Sequence, residues 1–454
     1  MTPTDGLPMP QRVGAILTIA LGITIAVLDG VIANVALPTI GNELSATPAE
    51  SIWIVNAYQL VITMTLLSLS SLGDIIGYRR IYLVGLGLFT VTSGLCAMSD
   101  SLTTLTLARV AQGLGAAALM SVNTALLRLI YPRRYLGRGM GINSLVVAVS
   151  TAAGPTVAAG ILAVASWQWL FAVNVPIGLV ALVIGRKYLP FNDGVKEQRF
   201  DKISALMNAL TFGLFFLALS GFAQGQSLKF VAIEAAATLV VGLFFVRRQL
   251  QQPYPLLPVD LLRIPIFALS MCTSISSFCA QMLAMVSIPF YFQRNLGLNE
   301  IETGLLLTPW PLATMVLAPI AGRLVEKVHG GLLGGIGMAL FATGLFSLAW
   351  LPAHPGYLDI CLRMVICGAG FGLFQSPNNH TIVSSAPRHR SGGASGMLGT
   401  ARLVGQTTGA ALVALAFNYF SDAGTHVSLL IAGSFAVFAA VVSTLRLSHA
   451  RAAA

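Results

Sequence analysis

Apolar residues run along this chain in long blocks divided by short polar connections, and the blocks have the length of a helix crossing a bilayer, about 20 residues. Fourteen are read, at 14–38, 52–72, 80–98, 102–128, 137–165, 168–188, 203–221, 229–248, 266–294, 303–325, 331–351, 357–384, 393–420 and 426–446. The pattern predicts an all-α polytopic membrane protein with 14 transmembrane helices. The longest connections, 189–202 and 249–265, are too short to fold around a core of their own, which excludes a soluble catalytic domain. The first block is too long for a signal-peptide core and is followed by no small-residue cleavage pattern, so it is expected to stay in the protein.

Composition agrees with this pattern. The 454 residues are 56% hydrophobic and 9% charged, with a mean hydropathy of +0.81, which excludes an ordinary soluble protein. Gly (45) and Pro (21) are abundant without a collagen period, as in membrane helices. Cys96, Cys272, Cys279, Cys361 and Cys367 lie in apolar stretches without zinc spacing and read as packing residues. The histidines, among them His380, are scattered and form no nucleophile, base and acid constellation, so an enzyme is not expected. No Gly-rich phosphate loop followed by Lys occurs, so neither ATP nor another cofactor is expected. Nor is a metal site.

Charge sets an expected orientation, because Lys and Arg accumulate in cytoplasmic loops. With the N-terminus inside, of the 26 Lys and Arg only Lys229 and Arg294 fall outside, and Arg109, Arg363 and Arg402 fall within helices. The remainder, Arg446 included, fall inside, so both termini are expected to be cytoplasmic. The net charge of +10 restates this bias toward an anionic membrane lipid surface and does not imply a nucleic-acid partner.

The sequence also repeats weakly at a separation of about 253 residues. Asp74 answers to Glu326, Arg109 to Arg363, and Arg133 with Arg134 to Arg388. The repeat pairs spans 1–6 with spans 9–14. It predicts a six-helix half at 1–190, a linker and inserted helix pair (spans 7 and 8) at 191–263, and a second six-helix half at 264–454.

Several segments carry a family resemblance. LDGVIANVALP (Leu28 to Pro38), WIVNAYQL (Trp53 to Leu60), SSLGDIIGYRR (Ser70 to Arg80) and LTLARVAQGLGAA (Leu105 to Ala117) resemble successive motifs of the major facilitator superfamily. Gly141, Gly154 and Pro155 resemble its fifth-helix antiporter motif, although Ser150, Ala158 and Ala159 stand where glycines are usual. The likeness extends over the whole chain and points to the drug:proton antiporters with fourteen spans. It implies the major facilitator fold and export of drugs or toxic compounds in exchange for protons. It also implies a gate at the turn holding Asp74, Gly77 and Arg79.

Charged side chains at bilayer depth are costly and usually face a cavity or a partner. Asp29 and Arg109 lie at depths of roughly 13 and 10 Å from the outer helix ends, so one polar cavity can hold both. Asp29 is expected to bind and release the transported proton, with Arg109 as a nearby cation that tunes it or relays water; a static ion pair is the other reading. The repeat position of Asp29 is the neutral Gln281. A single carboxylate suits one coupling proton, and equally a cationic or amphipathic small-molecule substrate. Asn34, Trp53, Tyr58, Asn143, Phe278, Gln281, Trp310 and Phe374 are candidates for the cavity wall, although aromatics in membrane helices more often form the core. Glu234 reads as a structural or interface-reaching acid, and Arg402 as either a packing residue or a tuning cation. Asp74 is expected to accept bonds from a neighbouring helix N-terminus or from Arg79. Gly154 and Pro155 can let span 5 bend. A transporter or symporter of one specific metabolite on the same fold stays open. A receptor or scaffold is disfavoured by the lack of large soluble segments. The expected location is a bacterial-type cytoplasmic (inner) membrane.

Overall fold

The computed structural model describes residues 6–452 except 133–134, 193–199, 224, 253–254, 326, 353–354, 387–390 and 421–422. Glu326, Arg133, Arg134 and Arg388, all used to align the repeat, lie outside the described residues.

Fourteen helical segments among the described residues are long and apolar enough to cross a membrane, at the expected places. They are α1 (Met9–Glu43), α2 with α3 (Pro48–Ser51, Trp53–Ile76), α4 (Tyr78–Ala97), α5 (Leu102–Ile130), α6 (Leu136–Leu162) and α7 with α8 (Trp169–Ala172, Asn174–Tyr188). Then come α9 (Lys202–Ala223), α10 (Leu228–Gln251), α11 (Pro265–Phe290), and α12 with α13 (Glu300–Leu307, Pro309–Leu324). The last are α14 (Gly330–Ala349), α15 (Tyr357–Ser385), α16 (Ser391–Phe420) and α17 (Gly424–Ala452). Local sequence sets the helix starts and breaks. Thr47 with Glu50, Ser101 with Thr104 and Asn299 with Glu302 form reciprocal caps that satisfy the first free N–H groups of α2, α5 and α12. Two spans are divided where proline withholds a donor: Pro176 leaves the Ala172 carbonyl without its helical partner between α7 and α8, and Pro309 opens α13 after the turn at Thr308.

The chain divides into two compact units, one of Met1–Ala46 with Trp53–Ala209, the other of Thr47–Ile52 with Leu210–Ala454. In the first, α5 packs against α3 and α4, and α1 against α6 and α8. The glycines of the RVAQGLG segment make the α5 contacts close. A Cβ on Gly113 would sit 2.7 Å from the Tyr58 carbonyl oxygen, and one on Gly115 the same distance from the Phe89 amide nitrogen. In the second unit α15 packs against α13 and α14, α11 against α16 and α17, and α14 against α17. This is the packing order of the first unit with spans 9–14 in place of spans 1–6. By contrast α10 buries little, with Phe245 and Gln249 its buried side chains.

Candidate functional site

The first unit holds a buried polar cluster around Asp29 of α1, a residue 2% exposed in the middle of an apolar helix. Arg109 of α5, fully buried, donates through Nη1 to Asp29 Oδ2 as an ion pair and to Gln112 Oε1 at 2.7 Å. Its Nε donates to the Ile54 carbonyl of α3 at 3.1 Å. The guanidinium lies over two rings, 4.1 Å from the Tyr58 centroid and 5.5 Å from that of Phe171. Its Nη2 has no hydrogen-bond partner. Asp29 Oδ1 accepts from Gln112 Nε2 at 3.0 Å and from Asn174 Nδ2 at 2.9 Å. Gln112 Nε2 also donates to Ser93 Oγ at 2.9 Å, and Cys96 Sγ lies 3.4 Å from Gln112 Oε1.

Asp29 and Arg109, singled out as charges at matching depth, thus meet directly, and Tyr58 joins them, its hydroxyl donating to the Ala26 carbonyl at 3.2 Å. Gln112, Asn174, Phe171 and Ser93 complete the cluster without having been foreseen. Gln112 stands one turn after Arg109 in the RVAQGLG segment, which is a usable signal; Asn174 and Phe171 belong to span 6, whose FAVNVP sequence carries a single mid-helix amide. A carboxylate held by three N–H donors, beside a cation that also keeps neutral partners, can exchange a proton without stripping the cation bare.

The other candidates lie elsewhere. Asn34 is half-buried on α1 with its amide oxygen unpartnered, Trp53 is half-buried at the start of α3, and Asn143 accepts from Asn123 at 3.1 Å between α6 and α5. In the second unit Phe278, Trp310 and Phe374 enter one aromatic cluster through Phe341 and Phe371, with centroids 5.4 to 6.3 Å apart. Those three rings are buried, each against Phe341 or Phe371, and Gln281 is half-buried nearby in sequence on α11. Asp74 accepts from the Tyr78 hydroxyl at 2.7 Å, where Arg79 or a helix N-terminus had been expected. Arg79 instead donates to the Arg186 carbonyl and lies 3.5 Å over the Phe191 ring. Gly77 opens α4 with φ of 101°, a conformation that favours glycine, and a Cβ there would meet the Asn192 carbonyl oxygen at 2.6 Å. A Cβ on Gly154 would run into Val31, two residues from Asp29, so α6 approaches α1 closely one residue before Pro155. Glu234 is half-buried on α10 with Oε2 turned toward Gly221 of α9, and Arg402 is half-buried on α16.

The second unit has its own buried guanidinium, and it is not the repeat counterpart of Arg109. Arg363 pairs locally with Asp359 at 2.8 Å and is partly exposed. Arg446, placed by charge counting at the inner surface, is 1% exposed. Its Nη1 donates to Ser270 Oγ at 3.0 Å and Asn378 Oδ1 at 2.7 Å, and its Nη2 to Ser443 Oγ. Charge counting, which placed Arg446 on the inner side, gave no sign of this burial: the apolar face of α17 carries it into the helix packing, where neutral oxygens hold it.

Comparison with known proteins agrees with the fold. A sequence model described as Major Facilitator Superfamily matches residues 19–410 and 272–452. An uncharacterized transporter, YebQ of Escherichia coli, is 67% identical over 99% of both chains. The tetracenomycin C resistance and export protein of Streptomyces glaucescens is 32% identical over 91% of this chain and 77% of its own length. The riboflavin transporter RibZ of Clostridioides difficile is 30% identical over 92% and 90% respectively. With a family match along most of its length and fourteen membrane-crossing helices, this chain belongs to the Major Facilitator Superfamily and is a multi-pass membrane transporter.

Proposed function

We propose that the protein is a proton-coupled secondary transporter of a bacterial inner membrane, with both termini cytoplasmic, that exports cationic or amphipathic compounds in exchange for protons. The buried Asp29–Arg109 pair carries this reading. It is the one carboxylate among the described residues that meets a fully buried cation inside the helices, and its surroundings supply partners for both of its charge states. In this reading Asp29 takes and releases the proton beside Arg109. Arg109 stays held by Ile54, Gln112 and the Tyr58 ring while the proton is on. Asp74, Gly77 and Arg79 shape a turn that favours one conformational state, and Gly154 with Pro155 gives α6 a bending point against α1. Residues 1–190 and 264–454 act as the two repeated halves, and the recurring packing order supports that division. The electrical part of the gradient supplies about 2.3 kcal/mol per charge per 100 mV. The relative named for tetracenomycin C resistance and export supports an efflux direction. A second reading, transport of one specific metabolite, is favoured by the riboflavin transporter at similar identity.

The test is transport in proteoliposomes with an imposed pH gradient, using a panel of organic cations together with riboflavin. Antiport alkalinises the proton-supplying compartment as substrate leaves the other, and symport gives the opposite sign. Asp29→Asn should abolish pH-driven accumulation while leaving passive exchange. If that variant pumps a cation uphill at the wild-type rate and proton ratio, the carrier lies elsewhere, with Glu234 the next acid to replace.

A further inference from the structure

The amide of Asn174 is used at one end only. Asn174 is 1% exposed and its Nδ2 donates to Asp29 Oδ1 at 2.9 Å, but its Oδ1, equally buried, has no hydrogen-bond partner. A buried, unpaired amide oxygen is costly, so its persistence calls for a state in which it is used.

That state follows from what a proton does to Asp29. The ionised carboxylate only accepts, and its two oxygens are met by N–H groups of Arg109, Gln112 and Asn174. The protonated acid must instead donate from one oxygen, which requires an acceptor within reach. Among the described residues the titratable groups facing Asp29 are Arg109, Tyr58 and Cys96: the guanidinium has only donors, the Tyr58 hydroxyl donates to Ala26, and the thiol points to Gln112. Gln112 Oε1 accepts from Arg109 and Cys96, and Ser93 Oγ accepts from Gln112. Of the groups that bond Asp29, the one acceptor with no hydrogen bond of its own is Asn174 Oδ1. Rotation about the soft terminal torsion of asparagine exchanges Nδ2 for Oδ1 at nearly the same position. The acid O–H then has its acceptor, and Nδ2 takes the place in which Oδ1 stood without a partner.

We propose that Asn174 is the positioning residue that fits this site to both protonation states of Asp29, donating to the carboxylate and turning over to accept from the acid. The proposal rests on the reading of Asp29 as the proton carrier. Its place in the chain suits the role. Asn174 is the first residue of α8, directly after the discontinuity that Pro176 produces, and Phe171 one turn earlier lies against Arg109.

The experiment is pH-difference infrared spectroscopy on the full-length chain in lipid nanodiscs, with asparagine carrying ¹³C at its side-chain carbonyl. The wild type should show the carboxyl band of protonated Asp29, absent from Asp29→Asn, and an isotope-shifted amide band that changes with the same midpoint. Asn174→Leu, or Asn174→Ser if the leucine variant does not fold, should remove that amide change and move the carboxyl band to a new frequency. A titrating carboxyl band with an unchanging labelled amide would overturn the role of Asn174 and leave Asp29 as carrier. No Asp29 band at any pH would overturn both.

Discussion

Replacing Asp29 by asparagine preserves its shape and removes its charge, and the size of the stability loss separates a proton carrier from a fixed ion pair. Taking one partner from a buried pair typically costs about 3–5 kcal/mol, because the other is left uncompensated. Here Arg109 would keep the Ile54 carbonyl, Gln112 Oε1 and the Tyr58 ring, and the new amide oxygen can still accept from it. What disappears is the charge assistance of the Arg109 bond, and the Gln112 and Asn174 amides, which donate to the other carboxylate oxygen, must turn to accept from the new NH2 group, so we expect a loss of about 1.5–3 kcal/mol. For a unit of this size that is a fall of roughly 4–8 °C in melting temperature. Unfolding can be followed with a thiol-reactive dye, since Cys96, Cys279 and Cys367 are free and buried. Arg109→Gln leaves a buried carboxylate without its cation and should fall further, and the double variant should fall by less than the sum. A drop of more than about 15 °C for Asp29→Asn would refute the reasoning: the site would have no tolerance for an uncharged residue 29, and Asp29 would be a fixed structural anion.

Four further outcomes are expected. Gly115→Ala, whose Cβ would press on the Phe89 backbone, should lower the melting temperature by about 5 °C or more, whereas Gly87→Ala, with nothing within 4 Å, should not lower it. Arg446→Met should cost about 3 kcal/mol or more by stranding Asn378, Ser270 and Ser443, with Arg446→Lys recovering less than half, both read by the same melt. Asp74→Asn should keep expression and binding but slow turnover, and Tyr78→Phe should slow it similarly because it removes the 2.7 Å bond; unchanged turnover in both would reduce Asp74 to a topological residue. Reporters fused after residues 196 and 390 should lie in the cytoplasm and one after residue 422 outside, a cytoplasmic reading at 422 meaning a miscounted span.

The spans were legible because lipid demands uninterrupted apolar length, and Asp29 and Arg109 because a charge in such a stretch needs a reason. Neutral polar residues give no such signal. Gln112 and Asn174 look like any amide in a membrane helix until the fold brings them within 3.0 Å of one carboxylate oxygen. Charge counting reads position along the chain, whereas the burial of Arg446 depends on which face of α17 meets α11 and α14. Phe278, Trp310 and Phe374 fit a ligand wall by residue type, and only the fold shows that each stacks on Phe341 or Phe371.

The thin packing of α10 bears on how the protein is handled outside the cell. With Phe245 and Gln249 its buried side chains and Leu239, Val240, Leu243 and Phe244 turned outward, this helix relies on acyl chains for company. Its 24 residues extend about 36 Å, longer than a typical hydrocarbon core of about 30 Å. Hydrophobic mismatch is therefore felt first at α10, whereas the Asp29 cluster is sealed by neighbouring helices. Lipid chain length in a reconstitution becomes an independent variable, able to change how α10 sits while leaving the buried ion pair as it was.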